Sequence, residues 1–247
     1  MRSGMASVAS AIDYGSRARL GLIVPSGNVI AEPQIRAMLP GGVEAYVTRL
    51  PLRGSSSAEL LAMAAQVSSA ARLLEDAGVD AIVFHCTAVS TYSVELSAAI
   101  KAELQQVSAR VRFATSDAIV EALRHLGARS LVLLTPYVAA VNEREVEFLA
   151  HQGIEVLRQD GLGIDTNAEM ARLDPSVFVG QALRNRHEDA DAYFVSCTAI
   201  RSAEVIEELE SALQRPVITS NQAMVWHALR SCGVRDAVAG FGALLRR

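Results

Sequence analysis

The sequence predicts an α/β protein made of two pseudo-symmetric, Rossmann-like lobes, each built on a parallel sheet. Three observations predict it: short apolar runs alternate with helical stretches, a long internal repeat recurs at one offset, and both repeat halves carry a Cys-Thr-Ala segment at a strand end.

The apolar runs at 20–24, 81–84, 131–134, 193–195 and 216–218 read as strands, because strands covered by helices on both faces need no polar side. Between them, 57–77, 117–126, 141–151 and 203–213 read as helices. Strand and helix in alternation imply parallel sheets with right-handed crossovers. Residues 1–17 are rich in Ser, Ala and Gly and lack a continuous apolar core, so they read as a disordered tail and not as a signal peptide.

The repeat carries most of the information. Asp80-Ala-Ile-Val-Phe-His-Cys86-Thr-Ala matches Asp191-Ala-Tyr-Phe-Val-Ser-Cys197-Thr-Ala, an offset of 111 (197 − 86). Leu20-Gly-Leu-Ile-Val-Pro25 matches Leu131-Val-Leu-Leu-Thr-Pro136 at the same 111 (136 − 25). A third pair, from Thr115-Ser116 to Gly127 against Thr219-Ser220 to Gly233, starts at an offset of 104 and ends at 106. Ordered pairs of this kind point to a duplicated lobe. The expected partition is 18–116 plus 220–247 for the first lobe and 117–219 for the second, since the helices after the two Thr-Ser pairs are equivalent and each crosses to the other lobe. Related halves face each other about a pseudo-two-fold axis, and ligands sit beyond the carboxyl ends of parallel strands. Cys86 and Cys197 are therefore expected on opposite sides of one ligand.

Composition narrows the chemistry. The chain has 247 residues, 51% of them hydrophobic, enough for a sizeable core. A net charge of −4 without a basic stripe argues against nucleic acid. No window reaches the ~18 apolar residues of a membrane span. Lys101 is the sole lysine and lies in a polar helical stretch, which argues against Schiff-base chemistry. The three cysteines have neither metal-ligand spacing nor an even number for disulfides, so free thiols in a reducing cytoplasm are expected, with no metal or organic cofactor. Homo-oligomers stay open.

Two thiols flanking a small substrate suit proton exchange at a carbon acid: one removes a proton from one face and the other delivers one to the opposite face. The same pair can add a thiolate to an activated alkene, allow bond rotation and expel it. Both routes need a thiolate, so helix N-termini or nearby donors are expected to lower the thiol pKa. His85 adjoins Cys86, but strand alternation turns it to the other side, against a Cys–His dyad. Cys232 reads as a packing residue. The turn Pro25-Ser26-Gly27-Asn28 offers amides and the Asn28 side chain to a carboxylate, although alone it reads as an ordinary turn. Its repeat partner, Thr135-Pro136-Tyr137, offers the Tyr137 hydroxyl. Thr87 and Thr198 follow the two cysteines as further candidate substrate contacts. Asn167 is a helix cap or a ligand donor, the cap being the better reading.

These residues resemble the aspartate/glutamate racemase superfamily. The Cys pair, Val-Pro-Ser-Gly-Asn, Thr-Pro-Tyr and Ser-Cys segments look like maleate cis–trans isomerase and its relative arylmalonate decarboxylase, from about Arg19 to Leu245. The resemblance implies that Cys86 attacks the alkene, that Cys197 is the acid/base on the other face, and that Asn28, Tyr137 and Asn167 hold the carboxylates of a small dicarboxylate. Arylmalonate decarboxylase has Gly in place of Cys86, whereas the segments after Tyr137 and Leu162 look closer to the decarboxylase. Racemisation of an amino acid or an ectoine-derived compound, decarboxylation of a malonate using Cys197 as proton donor, and plain ligand binding are the alternatives.

Overall fold

The computed structural model describes residues 12–247. In chain order they form β1 (Ala18–Pro25), α1 (Ala31–Met38), β2 (Val43–Leu50), α2 (Ser57–Ala64), α3 (Val67–Asp76), β3 (Ala81–Phe84), α4 (Thr87–Ser90), α5 (Val94–Leu104), β4 (Val111–Ala114) and α6 (Thr115–Leu126). The second half repeats the plan with β5 (Ser130–Tyr137), α7 (Ala139–His151), β6 (Glu155–Ile164), α8 (Asn167–Met170), α9 (Ser176–Arg184), β7 (Ala192–Val195), α10 (Ile206–Leu213), β8 (Val217–Thr219), α11 (Ser220–Ser231) and α12 (Gly242–Leu245).

Two four-stranded parallel sheets result, ordered β2-β1-β3-β4 and β6-β5-β7-β8. The duplication reaches the level of register. Leu20 pairs with Ala81 and Leu131 with Ala192; Ile23 pairs with Phe84 and Leu134 with Val195. The His85 amide donates to the Ile23 carbonyl and the Ser196 amide to the Leu134 carbonyl, both at 2.8 Å. At the third pair the register sets Ala114 beside Phe84 and Thr219 beside Val195, an offset of 105 (219 − 114), between the two values read from sequence.

The central strands β1, β3, β5 and β7 are buried almost throughout, because helices cover both faces. The unanticipated strands β2, β4 and β6 all lie at sheet edges, with partly exposed, mixed sequences. The helix expected over 57–77 is two helices, broken at residues 65–66. α11 packs on α6, α1 and α12, so the helix following the second sheet lies against the first half of the chain. The expected tail falls mostly outside the described residues; within them Asp13 accepts the Gly15 and Ser16 amides, and Arg17 pairs with Asp236. No described helix is long and apolar enough to cross a membrane.

Candidate active site

Each thiol emerges where a central strand ends and the chain turns into a helix or turn. Cys86 follows β3 in extended conformation and immediately precedes α4. The amides of Val89 and Ala88 reach its sulfur. Cys197 follows β7, and its sulfur accepts the Ala199 amide at 3.2 Å. Ala88 and Ala199 are repeat-equivalent, so each thiol has an amide from the same place in its lobe. The two lie close enough that charge on Cys197 raises the proton affinity of Cys86.

Both thiols are buried, and burial pushes each up to about 12. The expectation of a lowered pKa is therefore reversed in the closed site. The expected amides are present, and the Tyr137 hydroxyl also donates to Cys197, but desolvation of a thiolate outweighs them. At these values both thiols hold their protons at neutral pH in the closed site, and charge formed on one opposes charge on the other.

Cys197 has φ = 141°, in the region that favours glycine. A non-glycine residue held there stores about 1–3 kcal/mol. What holds it is visible: the Cys197 amide donates to Ser220 Oγ at 3.1 Å, and Thr87 Oγ1 donates to the same oxygen at 2.8 Å. Ser220, at the start of α11, thus ties the two cysteine loops together. Sequence reasoning passed over it, although the repeated Thr-Ser pair was the signal.

Asn28 bridges the halves. Its Oδ1 accepts the Ile30 and Ala31 amides at 2.9 and 3.0 Å, fixing the turn into α1, and its Nδ2 donates to Thr198 Oγ1 at 3.0 Å. One Nδ2 hydrogen and the Thr198 hydroxyl hydrogen remain for a ligand. Ser26 is placed differently: its side chain is exposed and accepts the Leu52 amide at 3.1 Å, so it builds the turn. The cap of α8 is Thr166, which accepts the Glu169 amide; Asn167 instead donates from its backbone to Arg53 (3.1 Å) and from Nδ2 to the Leu52 carbonyl (3.3 Å). The cap expected at Asn167 is thus one residue earlier, and Asn167 clasps the segment after β2. Ser55 reinforces that clasp through Asp165. Met170, at the end of α8, brings its sulfur to 3.8 Å from Cys197 Sγ.

His85 is buried and forms no dyad with Cys86. Its ring spans Thr115 Oγ1 (2.9 Å) and Asn221 Oδ1 (2.8 Å), while Asn221 Nδ2 is committed to Gln34 and the Thr198 carbonyl. Asn221 Oδ1 can only accept, so His85 Nε2 carries a hydrogen and donates to it, while the Thr115 hydroxyl beside Nδ1 donates to the Phe84 carbonyl at 3.1 Å. Burial lowers its pKa to about 4, so the ring is neutral. Cys232 is half-buried at the end of α11, away from this constellation. Among the described residues no group of three or more His, Cys, Asp or Glu is placed to hold a metal ion.

Residues 20–245 match the family model described as arylmalonate decarboxylase. A maleate isomerase from Pseudomonas putida is 29% identical over 241 residues, covering 92% of this chain and 96% of the relative. The arylmalonate decarboxylase of Bordetella bronchiseptica is 31% identical over 178 residues, 70% of this chain and 74% of the relative. Among solved structures, a Nocardia farcinica maleate cis–trans isomerase variant, cysteine replaced by serine, holds a covalently bound succinylcysteine intermediate; it superposes with a TM-score of 0.86 at 27% identity, covering 93% of this chain and 98% of that one. The match over residues 20–245, the shared two-sheet fold and these relatives establish that the chain is an enzyme of the maleate isomerase kind and belongs to the arylmalonate decarboxylase family.

Proposed function

We propose that this enzyme isomerises a small cis-dicarboxylate, maleate or a close analogue, to its trans form through a covalent adduct on Cys86. The observation that carries the reading is the repeat-equivalent thiol pair, one sulfur in each half, each with its own amide donor and each electrostatically coupled to the other.

In the reactive form one proton is shared by the pair: Cys86 is thiolate and Cys197 is thiol. Cys86 Sγ bonds to one alkene carbon. The alkene electron pair moves onto the adjacent carboxylate as an enediolate, and the Cys197 proton is delivered to the second carbon. The product is a succinyl thioether on Cys86 and a thiolate at Cys197. Rotation about the new carbon–carbon single bond follows. Cys197 then removes a proton, the double bond re-forms, and the C–S bond breaks to return Cys86 as thiolate. Every bond made or broken lies between substrate and the two side chains, so the scheme requires no metal or organic cofactor. Asn28 Nδ2 and the Thr198 hydroxyl hold one carboxylate, beside Thr87; with Cys197 a neutral thiol in the reactive form, the single hydroxyl hydrogen of Tyr137 turns from Cys197 to the other carboxylate. Asn167 keeps the clasp closed over the substrate and excludes water from the enediolate. Free thiols at the centre of the mechanism fit a reducing compartment such as the cytoplasm.

The 31% identity to a decarboxylase favours malonate decarboxylation as the second reading, with Cys197 as proton donor. Proton NMR of the protein with maleate, and separately with an arylmalonate, distinguishes them. The first reading expects conversion of the maleate vinyl signal to that of fumarate, abolished in Cys86→Ala and in Cys197→Ala. Loss of carbon dioxide from the malonate without maleate turnover would overturn it.

A further inference from the structure

We propose that Glu145 is a positioning residue for Cys197, working as a neutral carboxylic acid that holds the turn carrying the thiol and keeps negative charge away from it. The inference deepens, and rests on, the reading of Cys197 as the acid/base.

Glu145 is fully buried on α7, whose neighbouring acids Glu143 and Glu147 are exposed. It belongs to none of the ion pairs among the described residues. Its Oε1 accepts the Ser196 hydroxyl at 2.6 Å, and its Oε2 has no partner. A carboxylate has about four acceptor positions to satisfy, and one bond in a dry interior leaves the ionised form unsupported. The neutral acid is the form this pocket accommodates, and burial accordingly pushes the carboxyl up to about 7.

Its partner is informative. Ser196 is the residue before Cys197, at the end of β7. Its amide is fixed to the Leu134 carbonyl and its hydroxyl to Glu145, so the residue entering the φ = 141° turn is held at both ends. The titratable groups facing Glu145 are Tyr137 from β5 and Cys197 after β7, and negative charge at Glu145 raises the proton affinity of both. Other charged side chains nearby are engaged elsewhere. Arg144 stacks on Tyr92 and donates to Ser57, Asp160 of β6 accepts from Asn185, and His151 bonds its own helix at the Glu147 carbonyl. Among the described residues no cation pairs with Glu145, so its charge, once ionised, acts on the thiol pair with little screening.

The test reads Cys197 without substrate. Glu145→Gln keeps shape and the Ser196 contact but never ionises; Glu145→Met has similar volume, never ionises and lacks the contact. The rate of iodoacetamide labelling at Cys197 is followed from pH 6 to 9 by peptide mass spectrometry, with Cys86 as internal reference. In the native protein the Cys197 rate should flatten above neutrality as Glu145 ionises. In Glu145→Gln it should keep rising, matching native near pH 6 and exceeding it by about tenfold at pH 9, one unit of thiol pKa. Glu145→Met should keep rising with the same slope but stand apart from Glu145→Gln by one factor at every pH, because the Ser196 turn is no longer held. A Glu145→Gln profile that superposes on native, or a Glu145→Met profile that superposes on Glu145→Gln, would overturn the proposal. Because labelling needs no turnover, a wrong assignment of the reaction leaves this result unaffected, and the two failures are distinguishable.

Discussion

Asn28 and Thr198 are joined by a 3.0 Å hydrogen bond from Nδ2 to Oγ1, across the boundary between the two sheets. The same Asn28 side chain accepts the amides that begin α1, so scaffold and candidate ligand donor are one group. Asn28→Asp retains the acceptor and loses the donor. It should leave the melting temperature within a few degrees of native while raising KM for a dicarboxylate by roughly 10²-fold, the loss of a hydrogen bond to a charged group plus repulsion. Unchanged KM would remove Asn28 from the binding site.

The backbone of Cys197 offers a test that is independent of chemistry. Cys197→Ala and Cys197→Gly both delete the thiol, but only glycine tolerates φ = 141° freely. Cys197→Gly should therefore be the more stable of the two by about 1 kcal/mol, reversing the usual order in which alanine exceeds glycine. Urea unfolding of both variants decides it, and the usual order would mean that the turn stores no strain.

Two buried groups give stability opposite slopes against pH. Glu145, raised from 4.5 to about 7, retains its proton in the folded state, so its contribution falls as pH rises through that window, by about 3 kcal/mol. His85, lowered from 6.5 to about 4, is unprotonated when folded, and its contribution is lost as pH falls from 6.5 towards 4. Relative to native, Glu145→Gln should gain stability from pH 4.5 to 7, and the deficit of His85→Gln should shrink from pH 6.5 to 4. Denaturant unfolding at several pH values measures both differences; flat difference curves would contradict the buried charge states.

The clasp between Asp165 and Ser55 closes the segment after β2 onto the loop before α8, the helix that brings Met170 to Cys197, and the two thiols are only 4% and 2% exposed. Asp165→Ala should loosen it. Labelling of both cysteines should accelerate severalfold while the melting temperature drops only a little. Equal acceleration at the distant Cys232 would instead report general loosening.

The central strands, the repeat and the thiol pair were legible because they depend on local pattern: apolar runs mark doubly covered strands, and a duplicated segment copies its signature. Edge strands such as β6 were not, since a strand exposed on one side and at its rim carries the mixed composition of a loop. Cys86, Cys197, Asn28, Tyr137 and Thr198 were legible as candidates because they sit in repeated strand-end turns. Ser26 was found by the same rule, yet its hydroxyl serves the turn. Glu145 and Met170 were invisible, because one lies within an otherwise solvated helix sequence and the other ends a single-turn helix, α8, and tertiary packing alone carries them to Cys197. The direction of the thiol pKa was misjudged for a related reason: sequence places the helical amides, while the opposing desolvation depends on how completely the lobes close.

The most direct test of the two-thiol account is a trapping experiment. Cys197→Ser, incubated with maleate and digested, is examined by peptide mass spectrometry. The account predicts an adduct equal in mass to one maleic acid on the peptide containing Cys86, absent when Cys86 is also changed to Ala. An adduct on Cys232, or isomerisation continuing at the native rate in either single variant, would contradict it.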